Sequence, residues 1–331
     1  MRRIGLVLAL VMNRRTFLCG LVGTLTAPLA GEGQQAARIR RVGLYGTTDP
    51  KRWFTAELRE LGWVDGQNIV IDWHNRPAVD PQIAAQEVAD MERQQLDVAV
   101  LGGPNWIRAA MKVTQKIPLV AIDLESDPVA SGFVRSLARP GMNISGVWLD
   151  LPELAGKQLQ LLRELLPTIN RVAVLWDDKL GGPQLTAAQS AASSMKLMLR
   201  SVALRGIPDI DDTWKQVVAA RPQAILSLTA PVVFQLQTRI AELALLHRLP
   251  SICGFSTYAE RGGLAAYGPD FSAMWRQTAV YVDRILRGAK VSELPVERPT
   301  KFALILNPKT AKALGLTIPP SVLGRADQVI E

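Results

Sequence analysis

The chain has 331 residues, a formal charge of +8, 48% hydrophobic residues and no low-complexity tract. That length is too great for one small core and suits two domains of ordinary size. The basic residues are scattered apart from Arg38, Arg40 and Arg41 and form no stripe interleaved with aromatics, which argues against nucleic acid as a partner.

The first segment lies outside the fold. Residues 12–35, MNRRTFLCGLVGTLTAPLAGEGQQ, place Arg14 and Arg15 before an apolar run from Phe17 to Leu29, followed by Gly31 and Gly33 around Glu32. This is the pattern of a cleaved export signal, with the cut expected between Gly33 and Gln34. The apolar run is shorter than the ~20 residues of a comfortable membrane span. No other stretch is long and apolar enough, so the cleaved chain is expected not to cross a membrane. Residues 1–11 read as an upstream extension with the true start at Met12, or as the front of one long signal. The string from Asn13 to Leu18 fits a twin-arginine motif and an ordinary Sec signal alike. Residues 1–33 carry four arginines and one glutamate, so the cleaved chain keeps +5. Cys19 falls in the signal. Cys253, in LPSICGF, is left without a partner and is expected to be buried and inert.

From residue 41 strand-like and helix-like segments alternate. RVGLYG (41–46) precedes a helical pattern at 51–62, closed by Gly62 at its C′ position. NIVIDW (68–73), a helix over 81–94, LDVAVLGG (96–103), a helix over 106–115 and IPLVAID (117–123) follow. A second series opens with RVAVLW (171–176), then a helix near 183–197, LRSVAL (199–204), a helix near 211–220, QAILSLT (223–229), a helix near 232–247 and LPSICGF (249–255). Continuous apolar strands alternating with helices indicate an α/β protein with parallel sheets covered on both faces. The two series share one grammar, and two α/β lobes in tandem are its simplest explanation. One continuous sheet is the alternative.

In open parallel sheets ligands bind beyond the carboxyl ends of the strands. Those positions hold Thr47 and Thr48, then Gly103, Pro104 and Asn105, then Ser126, Asp127 and Pro128, then Asp177 and Asp178, and finally Thr229. Each polar residue among them also fits a helix N-cap, and a helix start can face a ligand carboxylate. Asp127 or Asp177 would pair an ammonium group. Trp106, Trp148, Phe255 and Tyr267 are candidates for an apolar wall, with Trp106 equally compatible with helix packing. No catalytic or metal-binding motif is present. His74 and His247 stand far apart, GFSTY (254–258) lacks the second glycine of a nucleophile elbow, and AGKQL (155–159) lacks the upstream glycine of a phosphate loop. No cofactor, metal or catalytic residue is expected.

At SDPVASGFVRSLARPGMNISGV (126–147) the sequence resembles the ABC-transporter substrate-binding proteins of the tryptophan/tyrosine type, a branch of the type I periplasmic binding proteins. LRELGWVDGQNIVIDW (58–73), PELAGKQLQLLRELLP (152–167), GGLAAYGPD (262–270) and residues 281–331 carry the same resemblance. It implies two Rossmann-like lobes joined by a hinge, the first at 38–147 plus about 271–298, the second at 148–268 plus about 300–331. It implies a periplasmic, monomeric, non-enzymatic protein that clamps a small ligand, an amino acid among the candidates, and delivers it to a membrane permease with its ATPase. A ligand-sensing receptor component and an exported α/β enzyme are the alternatives. Trp106 and Trp148 stand where smaller residues are usual in that family.

Overall fold

The computed structural model describes residues 38–46, 51–74, 76, 81–123, 127–149 and 151–330. The export-signal reading of residues 1–33, and Thr47, Thr48, Ser126 and Asp150, lie outside the described residues.

The first series runs β1 (Arg40–Tyr45), α1 (Lys51–Glu60), β2 (Ile69–His74), α2 (Pro81–Val88), β3 (Val98–Leu101), α3 (Pro104–Val113), β4 (Leu119–Ala121) and β5 (Ile144–Gly146). Its five strands form one parallel sheet in the order β2-β1-β3-β4-β5. The second series is longer. It runs α4 (Leu151–Leu165), β6 (Arg171–Asp177), α5 (Gly182–Ser194), β7 (Met198–Leu204), α6 (Ile210–Ala219), β8 (Ala224–Ser227), α7 (Pro231–Leu246), β9 (Ser251–Cys253), α8 (Thr257–Glu260) and β10 (Ala265–Pro269). After α9 (Phe271–Leu286) come β11 (Phe302–Leu306), α10 (Pro308–Ala313), α11 (Pro320–Leu323) and β12 (Gln328–Val329). The second sheet has the order β12-β11-β10-β9-β8-β6-β7, parallel except where β11 runs against β10. Two separate sheets replace the alternative of one continuous sheet.

Both sheets bury both faces, and alternation along the strands shows how. Val98 and Val100 of β3 join a core with Phe54 and Leu58 of α1 and Trp275 and Val282 of α9. Ala99 and Leu101, pointing the other way, join Ala84 and Val88 of α2 and Trp106, Ile107 and Ala110 of α3. In the second sheet Val172 and Val174 of β6 pack with Leu159 and Leu162 of α4, while Ala173 and Leu175 pack with Ile240 of α7 and Trp214 of α6. Side chains two apart share a face, so both registers must be apolar. That is why these strands read as unbroken hydrophobic runs.

The expected boundaries shift where local chemistry intervenes. The helix expected over 81–94 stops at Val88 and continues as turns through Gln95, whose φ is 51°. Asp127 and Pro128 open a single turn rather than a helix. Asp127 Oδ1 accepts from the N–H groups of Val129 and Ala130, and Gly132 at φ 75° ends the turn. α1 does end as its glycine suggests, with Gly62 at φ 93°.

Three segments cross between the sheets: 146–149 leading to α4, 268–271 and 297–302. They hold one another through backbone hydrogen bonds. Trp148 N–H donates to Glu297 O at 2.9 Å, Glu297 N–H to Gly146 O at 3.0 Å, and Asp270 N–H to Lys301 O at 2.9 Å. Leu149 on the first crossing and Leu151 and Leu154 at the start of α4 share a core with Met274 and Trp275 beyond the second. At the foot of the second crossing the backbone of Gly268 lies against that of Gly254. A Cβ at 268 would stand 1.9 Å from Gly254 O. Since backbone meets backbone there, Gly268→Ala is expected to cost about 3 kcal/mol or more of stability. Chemical denaturation would read this as a fall in midpoint at constant slope.

Candidate functional site

A cavity of about 590 Å³ opens where the carboxyl edges of both sheets meet the crossings. Three of its walls are helix starts with one shared sequence pattern: Gly102-Gly103-Pro104 entering α3, Gly181-Gly182-Pro183 entering α5 and Thr229-Ala230-Pro231 entering α7. Proline sits at the first or second helical position in each, and none has a side-chain cap. Away from these walls α10 is capped by Asn307, and at the cavity's edge α9 is capped by Asp270. The first N–H groups of a helix have no partner inside it and carry the positive end of its dipole. Glycine or alanine at the cap has no side chain with which to take up those groups. Gly103 adopts φ 135°, a conformation that favours glycine.

The remaining wall mixes apolar and charged side chains. Phe234 and Phe255 meet edge to face at 5.0 Å, and Phe255 lies 5.7 Å from Phe271. Trp275, Leu149 and Leu151 extend this surface, and Asp123, Asp127, Arg108 and Lys179 supply charge around it. The Arg108 guanidinium lies 5.6 Å from the Phe133 ring centre. Thr229 is 5% exposed and its hydroxyl has no hydrogen-bond partner among the described residues.

Of the candidates read from the sequence, Gly103, Asp127, Thr229 and Phe255 line this cavity. Asn105 lies in the first turn of α3 outside the lining. Trp106 is turned into the core, 5.6 Å from Tyr45, which itself stacks on His74 at 4.3 Å. Packing under α3 is therefore the alternative that the structure favours for it. Trp148 is buried on the first crossing with the Arg298 guanidinium 4.3 Å above its ring. Tyr267 stacks on Phe302 at 6.2 Å and borders a shallow groove with Lys157, Glu164 and Arg325 instead. Asp177 is buried behind the wall. Its Oδ1 accepts from the N–H groups of Lys179 and Leu180 at 2.8 and 3.2 Å, so it shapes the loop that brings Lys179, Leu180, Pro183 and Gln184 to the cavity.

The sequence reading missed Arg108, Asp123, Lys179, Gln184, Phe234, Phe271 and Trp275. The signal that could have found several of them is the small-small-Pro pattern. It marks three of the helix starts that line the cavity, and lining residues follow it by up to one turn. Among the described residues no cluster of His, Cys, Asp or Glu is arranged to hold a metal ion, and no helix is long and apolar enough to cross a membrane.

Two α/β lobes with a lined cleft between their strand edges define the architecture of a two-lobe binding protein. Residues 50–330 match the family of ABC transporter substrate binding proteins, and the chain belongs to that family. Its role is that of the substrate-binding component of an ABC transporter, not of an enzyme. It is 26% identical over 274 residues to a tyrosine-binding protein of Clostridioides difficile (strain R20291), covering 80% of this chain and 76% of that protein. Solved structures share the fold, two of them with TM-scores of 0.78 and 0.79. One is a conserved domain protein from Vibrio cholerae O1 biovar El Tor, with TM-score 0.79, 24% identity, and coverage of 88% of this chain and 100% of that one. The other is the ABC domain from Streptococcus pneumoniae in complex with L-Trp, with TM-score 0.78, 22% identity, and coverage of 88% and 99%.

Burial pushes the Asp177 carboxyl above the usual carboxylate range, against the two N–H bonds that favour its charge. The folded state therefore holds this proton more tightly than the unfolded chain. The associated stability is full below the ordinary aspartate pKa of about 3.9 and is lost as pH rises through the raised folded value. Asn at 177 keeps the acceptor and removes the buried charge. Asp177→Asn is expected to melt above wild type at pH 7, with the gap closing near pH 3. Asp177→Ala, which loses the acceptor, is expected to lose about 1 kcal/mol. Melting curves of the three proteins from pH 3 to 8 check both.

Proposed function

We propose that this protein is exported to the periplasm, captures an aromatic amino acid or a closely related small solute between its lobes, and delivers it to the membrane permease of its transporter. The observation that carries the ligand class is the composition of one cavity. Three uncapped helix starts and the Thr229 hydroxyl suit a carboxylate, Asp123 and Asp127 suit an ammonium group, and Phe234, Phe255, Phe271 and Trp275 suit a flat apolar side chain. The volume of about 590 Å³ falls in the range of small-molecule sites. The tyrosine-binding relative and the L-Trp complex agree with this class.

In this reading residues 38–147 with 271–298 move as one body and 148–268 with 300–331 as the other, hinged at the three crossings. Ligand contacts from both bodies favour closure because only the closed form makes all of them. The closed monomer is what the permease reads, with the ATPase acting through the permease. Residues 1–33 serve as the export signal, removed after Gly33.

A thermal-shift panel of amino acids, aromatic acids without an amino group, purines and short peptides tests the ligand class. L-tyrosine or L-tryptophan is expected to raise the melting temperature by mass action. No shift with either would overturn the aromatic amino acid reading. Phe255→Ala is expected to weaken binding about 10- to 100-fold by calorimetry, since burying an aromatic side chain contributes about 1.5–3 kcal/mol and each 1.4 kcal/mol is tenfold. Asp127→Asn keeps the oxygen that accepts from Val129 and Ala130 and removes the charge. It is expected to weaken binding of the zwitterion about tenfold, as for loss of a charge-assisted hydrogen bond. Binding of 3-indolepropionate, which has no ammonium group, should not change.

A further inference from the structure

Thr229 stands one residue beyond the last ladder bond of its strand and two residues before α7. Leu228 N–H still reaches Leu175 O, but Thr229 itself has no strand neighbour. Both of its backbone polar groups are nevertheless satisfied, by one side chain from a different helix. Thr229 N–H donates to Gln184 Oε1 at 3.1 Å, and Gln184 Nε2 donates to Thr229 O at 2.8 Å. This two-point clasp fixes the orientation of the amide, because the N–H can only donate and the carbonyl can only accept. Gln184 is 3% exposed and sits in the first turn of α5. The same Thr229 carries the buried hydroxyl that finds no partner among the described residues. That hydroxyl is confined on one side by Gly254, where a Cβ would stand 2.1 Å from it.

We propose that Gln184 is a positioning residue for the ligand. By clasping the Thr229 backbone at both ends, it fixes Thr229 in the cavity wall, so that ligand affinity depends on Gln184 through Thr229. This rests on the reading of the cavity as the ligand site. A buried N–H and a buried carbonyl must each be paired. Without Gln184 both would be orphaned, and the loop would have to turn them toward water in the cavity, carrying the hydroxyl with them. Only because residue 254 is glycine is there room for that hydroxyl where it stands. The clasp also joins the start of α5 to the start of α7, so two cavity walls share a single support.

The test uses the full chain and L-tyrosine and L-tryptophan as probes. Gln184→Met keeps the side-chain volume and removes both hydrogen bonds. It is expected to weaken binding about tenfold in the wild-type background and less than threefold in a Thr229→Val background, while Thr229→Ser, which keeps a hydroxyl, stays within threefold of wild type. A merely structural glutamine would cost the same affinity in both backgrounds, and that result would overturn the proposal. Gly254→Ala is the second variant, should Gln184→Met fold poorly. It fills the space of the hydroxyl and is expected to weaken binding at least as much as Thr229→Val. Hydrogen exchange of the Thr229 amide, measured without ligand, reads the clasp directly. It is expected to be slow in wild type and at least tenfold faster in Gln184→Met. Unchanged exchange sinks the clasp whatever the ligand proves to be, whereas a clasp that is present with no binding of either probe sinks only the ligand reading.

Discussion

The first sheet cannot be finished by its own stretch of chain. A parallel sheet needs helices on both faces, because its strands are apolar in both registers. Among the described residues of 38–146, α2 and α3 cover one face but only the ten-residue α1 the other. The open area beside α1 is filled by α9, from more than a hundred residues later, through Met274, Trp275, Ala279, Val282 and Leu286. From that requirement the topology follows. The chain must return to the first lobe after β10 and leave again to lay β11 against it. Three crossings result, and they lie side by side because each satisfies the backbone groups of another. The cleft is lined where the first two crossings pass, and α9 contributes Phe271 and Trp275 to it as it arrives.

The alternating elements were legible because their signal is dense. Every strand of the first sheet up to β4, and β6 to β9 of the second, announces itself as an apolar run between turn residues. The return of the chain was less legible, since covering a face is a property of the whole sheet and not of any window of sequence. β10 was also hidden by its own residues. AAYGP ends in Gly and Pro, which read as a turn, yet Gly268 is there because the Gly254 backbone lies too close for a side chain. β11, FALIL, is an apolar run before Asn307-Pro308, but nothing in that run says that it would pair against β10.

The cavity was legible as a place and only partly as a set of residues. Strand-end loops could be located, and Gly103, Asp127, Thr229 and Phe255 lie where those loops put them. Which way a side chain points from a loop is decided by packing that no local pattern carries. Trp106, three residues after Gly103, turns under α3 because the helical period rotates it onto the sheet face, where Tyr45 is its neighbour. Asp177 looks in sequence like a ligand group but is consumed by the two N–H groups that follow it. Phe271, Trp275 and Phe234 arrive from helices, two of them on the returning segment, so no strand-end reasoning reaches them.

The three uncapped helix starts differ in what they give up locally. Glycine at an N-cap is only a few tenths of a kcal/mol worse than serine or asparagine, so α3 and α5 lose little by carrying Gly103 and Gly181. Alanine is poorer by about 1 kcal/mol, and α7 begins after Ala230. The stabilisation that α7 lacks at its cap is replaced one residue earlier, where Gln184 takes both backbone groups of Thr229. A side-chain cap on α7 itself would occupy the donors that face the cavity. A clasp from a neighbouring helix secures the same loop from behind and leaves them open. The helix start that is weakest by local rules is thus the one held by a buried contact from another element, as expected where binding rather than folding sets the choice of residue.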